Sequence, residues 1–493
     1  MMESLSKLTH DPLLGTLNAL PSNPLSKQLH STFMELLRFS TVIVVTSIEA
    51  FFLTQGWKPI LHFLFLLCFI FFFILKLFLS KAPSVYLVDY SCLKPPGFCR
   101  IPFSSFLENI SLFETFDAES LSFMAKVLTS SGQSQETCLP PALHYIPLKT
   151  HQQESIKEVH MVLFPIMEDL LSKTRLSPRD IDILIVNCSG FCPSPSLSSI
   201  IINKYSMRSD IKSYTLSGMG CSASAIGIHM AENLLKTHKN SYAVVLSTEV
   251  LSTGWYPGNE RSKLALNCLF RMGSAAILLS NKRDAKKSSK YKLFRTLRTL
   301  RAFEDKAYLS AFREEDSLGY LGVTLNRDLL QVAGETLRSN VTVLGSSILP
   351  FSEKVRTIAA ILWKIFINKS SEIYVPDFKT VIQHFCLPTS GRPVIREIAK
   401  GLKLGEKDIE PALMTLNRFG NQSSASLWYE LAYLEAKERV KKGDMVWQLG
   451  MGSGPKCNSV VLECIRPIVG ESKRGPWDDC IHRYPIAALD QGI

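Results

Sequence analysis

Apolar residues fall along this chain in two patterns, and each predicts a different kind of element. Near the N-terminus they run almost unbroken. Ile60 to Leu79 reads ILHFLFLLCFIFFFILKLFL, with Lys76 as its only charge. A helix of about 20 apolar residues is long enough to span a bilayer. An earlier run, Leu36 to Leu53, carries Arg38 near its start and Glu49 near its end. Only Thr54 to Pro59 separate the two. That spacing predicts a transmembrane helical hairpin over residues 35–80 with both chain ends on one side; one span plus an interfacial helix is the alternative. Trp57 suits a membrane–water interface, and Lys7, Lys27, Arg38 and Lys81 outside the hairpin predict cytosolic ends, including a cytosolic segment 1–34. A cleaved signal peptide fits poorly, because a long mixed polar stretch precedes the first run and no small-residue cleavage site follows it.

Beyond the hairpin the pattern changes to short β-branched runs alternating with amphipathic ones. Val85 to Val88 has strand character. Ile181 to Val186 and Ala243 to Ser247 are continuous apolar runs of the kind buried in a parallel sheet. Glu154 to Leu171 and Ser194 to Tyr205 read as helices, and Asp210 to Leu216 as a strand. A second such series runs from Tyr374 to Ile465. The alternation predicts an α/β core, and 493 residues leave room for two domains or one duplicated one. The expected division is 81–372 for the first half, 373–468 for the second and 469–493 for a polar surface tail. Val355, Ile358, Ala359, Leu362 and Phe366 form a helical stripe. Core packing is its ordinary reading; a lipid-facing or acyl-binding surface is the other. Lys282 to Lys292 reads as a basic loop, either a solvated connection or a contact for cofactor phosphates.

Charge and cysteine usage narrow the class. The net charge is +11, yet no aromatic–basic recognition motif accompanies it, so nucleic acid is not an expected partner. An anionic membrane surface or a polyanionic cofactor fits better. The 12 cysteines are scattered, and Cys188 and Cys192 match neither a zinc ribbon nor a redox pair. Free thiols in a reducing compartment, with no metal, are the simplest expectation. Cys221 stands apart from the rest. It lies in Leu216-Ser217-Gly218-Met219-Gly220-Cys221-Ser222, between an expected strand and an expected helix. Glycines permit the tight turn. A helix start favours a thiolate and predicts a lowered thiol pKa. Backbone N–H groups of such a turn can receive an oxyanion.

Several segments in order resemble the plant 3-ketoacyl-CoA synthases, the condensing enzymes of very-long-chain fatty acid elongation. They are Ser130-Ser131-Gly132 with Glu136-Thr137, Asp180 to Ser189, Thr215 to Ser224 and Asn267 to Gly273. Tyr374 to Phe378, His384-Phe385-Cys386, Arg418 to Tyr433, Gly452 to Ser459 and Trp477 to Pro485 continue the series. The resemblance covers nearly everything from residue 84 to the tail. It implies a thiolase-like, chalcone synthase-like fold: five layers built from two similar α/β halves, the site between them, behind the N-terminal hairpin. It also implies an endoplasmic reticulum membrane location with a cytosolic catalytic domain. Homo- or heterodimers with other synthases, and work beside elongase reductases and a dehydratase, are implied too. The implied substrates are a long-chain acyl-CoA and malonyl-CoA, with no further cofactor. In the family a cysteine takes the acyl chain as a thioester; malonyl-CoA then loses CO2, and its enolate attacks that thioester. Cys221, Asn421 and His384 match the family's catalytic positions. Arg271 and the Gly452-Ser453-Gly454 turn are the expected substrate-binding positions.

Three family positions differ. The family reads HFC-I-H-A-G-G-R around its catalytic histidine, where this chain reads His384-Phe385-Cys386-Leu387-Pro388-Thr389-Ser390-Gly391-Arg392. Proline supplies no side-chain donor or acceptor. Leu300 and Asn417 stand where the family has two other histidines. His384 lies four residues before Pro388, about 13 Å in an extended chain, too far for a simple exchange of roles. A lost oxyanion donor costs about 10² to 10³ in rate. These replacements predict severely reduced condensation with slow self-acylation surviving at Cys221. Two functions follow: a condensing enzyme, or a catalytically impaired relative that binds and modulates active synthases.

Overall fold

The structure, a computed structural model, describes residues 63, 66–71, 83–366 and 374–486. The expected hairpin lies mostly outside the described residues. Within it, residues 66–71 are helical and expose Leu66, Leu67, Ile70 and Phe71. Among the described residues no helix is long and apolar enough to cross a membrane. The chain divides into two units, 1–81 with 341–347, and 82–340 with 348–493. The second unit holds the sheet and the candidate site.

Eleven strands are described: β1 (Tyr86–Cys92), β2 (Ile183–Asn187), β3 (Lys212–Leu216), β4 (Tyr242–Thr248), β5 (Ser274–Ser280) and β6 (Tyr291–Leu300). β7 (Ala311–Glu315), β8 (Leu321–Leu325), β9 (His384–Cys386), β10 (Met445–Gly452) and β11 (Lys456–Cys464) follow. β7 and β8 form a separate ribbon; the others make one nine-stranded sheet, ordered β3-β2-β4-β5-β1-β6-β11-β10-β9. From its centre outward the sheet repeats itself. β1 is antiparallel to β5, β5 antiparallel to β4, and β4 parallel to β2. In the same way β6 is antiparallel to β11, β11 antiparallel to β10, and β10 parallel to β9. β1 and β6 join the two halves. Strand pairing therefore draws residues 291–300 into the second half, ahead of the expected division at 373. Chain order alone does not show this, because β6 reads as one more strand following β5.

The layers follow from which faces are apolar. β2, β4 and β5 are buried along nearly their whole length, as strands covered on both faces must be. The Gln152–Thr174 helix covers β1, β4 and β5 on the outside. The Ala223–Thr237 helix touches β2 and β4 on one side and β10 and β11 on the other, so it lies between the two half-sheets. Its small residues permit that approach: a Cβ on Gly227 would stand 2.8 Å from Val245 Cγ1. The Ser426–Ala436 helix is its counterpart in the second half. It is buried all round and packs on β9, β10 and β1. On the far side Asn340, from the Leu329–Ile348 helix, donates to the Thr299 hydroxyl and the Cys457 carbonyl of β6 and β11.

Three surface expectations change. The Phe351–Phe366 helix is not a core helix: Phe351 is 80% exposed, Val355 46% and Trp363 56%. Its buried Glu353 instead ties it down, accepting hydrogen bonds from the Tyr374 hydroxyl (2.8 Å) and the Asp377 N–H (3.3 Å). The basic stretch Lys282–Lys292 is not simply a solvated loop. Lys290 is buried where β1 meets β6, and its Nζ lies 2.9 Å from Glu435, 3.1 Å from Asp89 and 3.2 Å from Glu471. The tail also reaches inward. Trp477 is fully buried among Phe419, Tyr433 and Tyr484, and its indole donates to the Tyr429 carbonyl.

Candidate active site between the two halves

The turns after the parallel strands of both halves meet, at the strand ends where α/β sheets place their ligands. After β2 come Cys188, Ser189 and Gly190; after β3 comes the turn to Cys221; after β4 comes Glu249. The second half contributes Thr389 after β9, the Gly452 turn after β10, and the loop Asn421–Ala425 before its central helix. By the repeat, the Cys221 turn and the Asn421 loop are equivalent, each feeding a central helix through a short 3-10 turn. These two turns meet.

The Cys221 turn is built as expected. Gly218 and Gly220 have φ of +66° and +60°, the left-handed region that glycine enters without strain. Cys221 is the middle residue of the 3-10 turn Gly220–Ser222, directly before the Ala223–Thr237 helix. The thiol differs from expectation. Burial pushes its pKa up to about 11; the Ser423 hydroxyl lowers it, while Glu249 raises it further. The helix start does not outweigh desolvation.

Asn421 is held from three sides. Its Oδ1 accepts from the Ser423 N–H at 2.8 Å and from the Thr389 hydroxyl at 3.4 Å. Its carbonyl accepts from the Arg271 N–H at 2.8 Å. With Oδ1 engaged, Nδ2 has no hydrogen-bond partner among the described residues and is the donor left for a ligand. Ser423, fixed by that bond, sits at φ +56° and places its hydroxyl 3.4 Å from Cys221 Sγ. Thr389 is the neighbour of Pro388, which is buried. The segment carrying Pro388 therefore does adjoin the site, through its neighbour's bond to Asn421.

The other expected residues take different positions. His384 is not brought to Cys221. It opens β9, and its Nε2 bonds Asp444 at 2.9 Å, while Thr389 at the far end of that segment meets Asn421. Burial lowers the His384 pKa and outweighs Asp444. Arg271 is 1% exposed, so its cation is not presented to a substrate from outside. Burial lowers its pKa to about 10. It donates to the Thr137 hydroxyl and the Phe270 carbonyl and packs beneath Gly420, where a Cβ would meet Arg271 Cγ at 2.3 Å. Gly452 and Ser453 press on the nucleophile turn: a Cβ on Gly220 would lie 2.5 Å from Ser453 N. Lys456 donates to the carbonyls of Ser453 and Gly454 and holds that turn. Asn417 donates to the Gly132 carbonyl, and Leu300 ends β6 half-exposed.

Glu249, Ser423 and Thr389 were not singled out from the sequence. Glu249 carried a signal, since it closes the apolar strand Tyr242–Thr248 with a carboxylate at its carboxyl end. Its Oε1 accepts from the Gly190 N–H at 2.7 Å, and its Oε2 from the Ser189 N–H at 3.3 Å and the Ser423 hydroxyl at 3.4 Å. Burial raises its pKa despite these bonds.

Comparisons with known proteins agree with this geometry. Residues 77–366 match the model of the FAE1/type III polyketide synthase-like proteins, and 379–464 that of the 3-oxoacyl-acyl-carrier-protein synthase III C-terminal part. The chain is 51% identical to 3-ketoacyl-CoA synthase 5 of Arabidopsis thaliana over 83% of each chain. It is 49% identical to 3-ketoacyl-CoA synthase 6 of the same plant, over 83% of this chain and 82% of that one. Among solved structures, a fungal type III polyketide synthase matches 77% of this chain and 99% of its own, with TM-score 0.59 at 14% identity. A protein described as PKS-I, from the brown alga Ectocarpus siliculosus, matches 78% of this chain and 100% of its own, with TM-score 0.59 at 16% identity. These structures share the fold, thiolase-like and chalcone synthase-like. With a cysteine and an asparagine joined through Ser423 where the two repeats meet, and 51% identity to a curated synthase over 83% of its length, the chain belongs to the 3-ketoacyl-CoA synthase family.

Proposed function

We infer that the chain catalyses decarboxylative condensation of malonyl-CoA with a long-chain acyl-CoA in very-long-chain fatty acid elongation. The observation that carries this reading is the pairing of Cys221 with the Asn421 loop across the repeat interface. Cys221 would hold the acyl chain as a thioester. Asn421 Nδ2 is the donor available to the enolate oxygen released as CO2 leaves. The relatives' names, 3-ketoacyl-CoA synthase, support the same chemistry.

The cellular setting is the finer part of the proposal. Endoplasmic reticulum membrane attachment, a cytosolic catalytic unit, dimers with like synthases, and the elongase reductases and dehydratase as co-workers all follow from the family reading. Two features support membrane attachment. One is the apolar run Ile60–Leu79. The other is the exposed stripe Phe351, Val355, Ile358 and Trp363, on a helix that also carries Lys354 and Arg356. Exposed apolar side chains flanked by basic ones suit a lipid surface.

The test is elongation of labelled malonyl-CoA by membranes carrying this chain, beside Cys221→Ala and Pro388→His. Wild type is expected to make 3-oxoacyl products and Cys221→Ala none. Pro388→His should raise turnover about 10-fold or more by restoring a donor. A silent wild type alongside an active Pro388→His would reject turnover and leave the modulating relative as the reading.

A further inference from the structure

Cys221 needs a place to put its proton. Among the described residues no histidine ring hydrogen-bonds Cys221, Ser423 or Asn421. His384 is engaged by Asp444, and His229 lies further along the central helix. Desolvation of the half-buried thiol pushes its pKa up to about 11, which favours the protonated form at neutral pH. A nucleophile in that state requires a base at the moment of attack.

Two groups stand in line with it. Ser423 Oγ is 3.4 Å from Cys221 Sγ and 3.4 Å from Glu249 Oε2. The hydroxyl can donate to either group but has one proton; turned to Glu249, it leaves its oxygen free to accept from the thiol, so it can bridge a thiol and a carboxylate. Its position is imposed. Ser423 sits at φ +56°, a conformation unfavourable for a residue with a Cβ, and its N–H is held by Asn421. Glu249 is equally fixed, by the N–H groups of Ser189 and Gly190 and by the Cys188 thiol. Burial raises the Glu249 pKa, which makes the carboxylate a better proton acceptor than an exposed one.

We propose that Ser423 and Glu249 are the proton route of Cys221: the thiol passes its proton to the Ser423 hydroxyl as the hydroxyl proton passes to Glu249. The S–H bond breaks as the bond from Sγ to the acyl carbonyl carbon forms. When the tetrahedral adduct collapses, the bond to the CoA sulfur breaks, and the leaving thiolate recovers the proton from Glu249 by the reverse path. The products are acyl-Cys221 and CoA–SH, with no net proton change. Ser423 touches the reacting sulfur; Glu249 acts through it. The route deepens the condensing reading and rests on it for its substrate.

The experiment follows Cys221 in the full chain in membranes, by single-turnover transfer from radiolabelled stearoyl-CoA and, separately, by iodoacetamide alkylation read on the Cys221 peptide. Both are measured from pH 4 upward in wild type, Glu249→Gln and Ser423→Gly. Glycine suits the left-handed backbone at 423, so this variant removes the hydroxyl without adding strain. Wild-type acylation should rise as Glu249 ionises and then level off. In both variants it should fall about 10² to 10⁴-fold at neutral pH and climb tenfold per pH unit, nearing wild type as the thiol itself ionises. Identical profiles in wild type and Ser423→Gly would overturn the route. An equal loss at every pH would also overturn it, because that marks a structural role. If wild type is alkylated with the level profile but never acylated, the route stands and the condensing function fails.

Discussion

An alanine at position 452 is expected to cut condensation by about a hundredfold or more. The added Cβ would lie 2.4 Å from the Met219 carbonyl oxygen, 2.7 Å from Ser222 Oγ and 3.0 Å from Ser222 N. Two of these are backbone atoms, so no rotamer change relieves the contact. Either the β10–β11 turn or the Cys221 turn must move. A displacement of about 1 Å at a reacting atom costs about 10²-fold even when nothing chemical is removed. Overpacking should also cost about 1–3 kcal/mol of stability. Gly97→Ala is the control, since nothing lies within 4 Å of a Cβ there. Steady-state kcat for Gly452→Ala within twofold of wild type would show that the two turns do not hold one another.

Lys290→Met is expected to be the most destabilising single change named here, about 3–5 kcal/mol by denaturant titration. Removing the ammonium leaves Glu435, 1% exposed, without its cation, and leaves Asp89 and Glu471 facing it. Adding Glu435→Gln to Lys290→Met should recover part of the loss, as expected for groups in contact. The cluster also has a pH signature. Burial alone would lower the Lys290 pKa, but Glu435, Asp89 and Glu471 outweigh it and raise it. The folded state thus holds this proton more tightly than the unfolded chain does. Its contribution is complete below the ordinary lysine value of about 10.4 and is lost as pH climbs above it. Melting curves of wild type should show that alkaline loss, and those of Lys290→Met should lack it.

Local signals in the sequence located elements well. The helix expected at Ser194–Tyr205 is found at Leu197–Tyr205, and the strand expected at Asp210–Leu216 at Lys212–Leu216. Gly218, Gly220 and the following apolar run marked the Cys221 turn, because backbone permissiveness is a property of single residues. Relations across the chain were harder to read. Ser423 and Cys221 lie 202 residues apart, and only the meeting of two central helices makes them neighbours. Lys290 read as part of a basic loop, solvated or contacting cofactor phosphates, because its three carboxylates come from β1, the central helix of the second half and the tail. The thiol pKa went the other way because a helix terminus is visible in sequence, whereas the desolvation opposing it depends on how the halves close. The stripe at Val355 and Ile358 was seen, but periodicity alone does not say which medium it faces.

The seam between β1 and β6 also bears on how the gene tolerates damage. The halves share one sheet, one buried charge cluster and one active site, so neither is a self-sufficient module. A premature stop codon after β6 would not leave a half-working enzyme. It would release a chain with the free edge of β6, an unanswered Lys290 and Cys221 on an unpacked helix, a species for proteolysis or aggregation. Nonsense alleles spread along the second half should therefore behave alike, as complete losses, wherever in that half they fall.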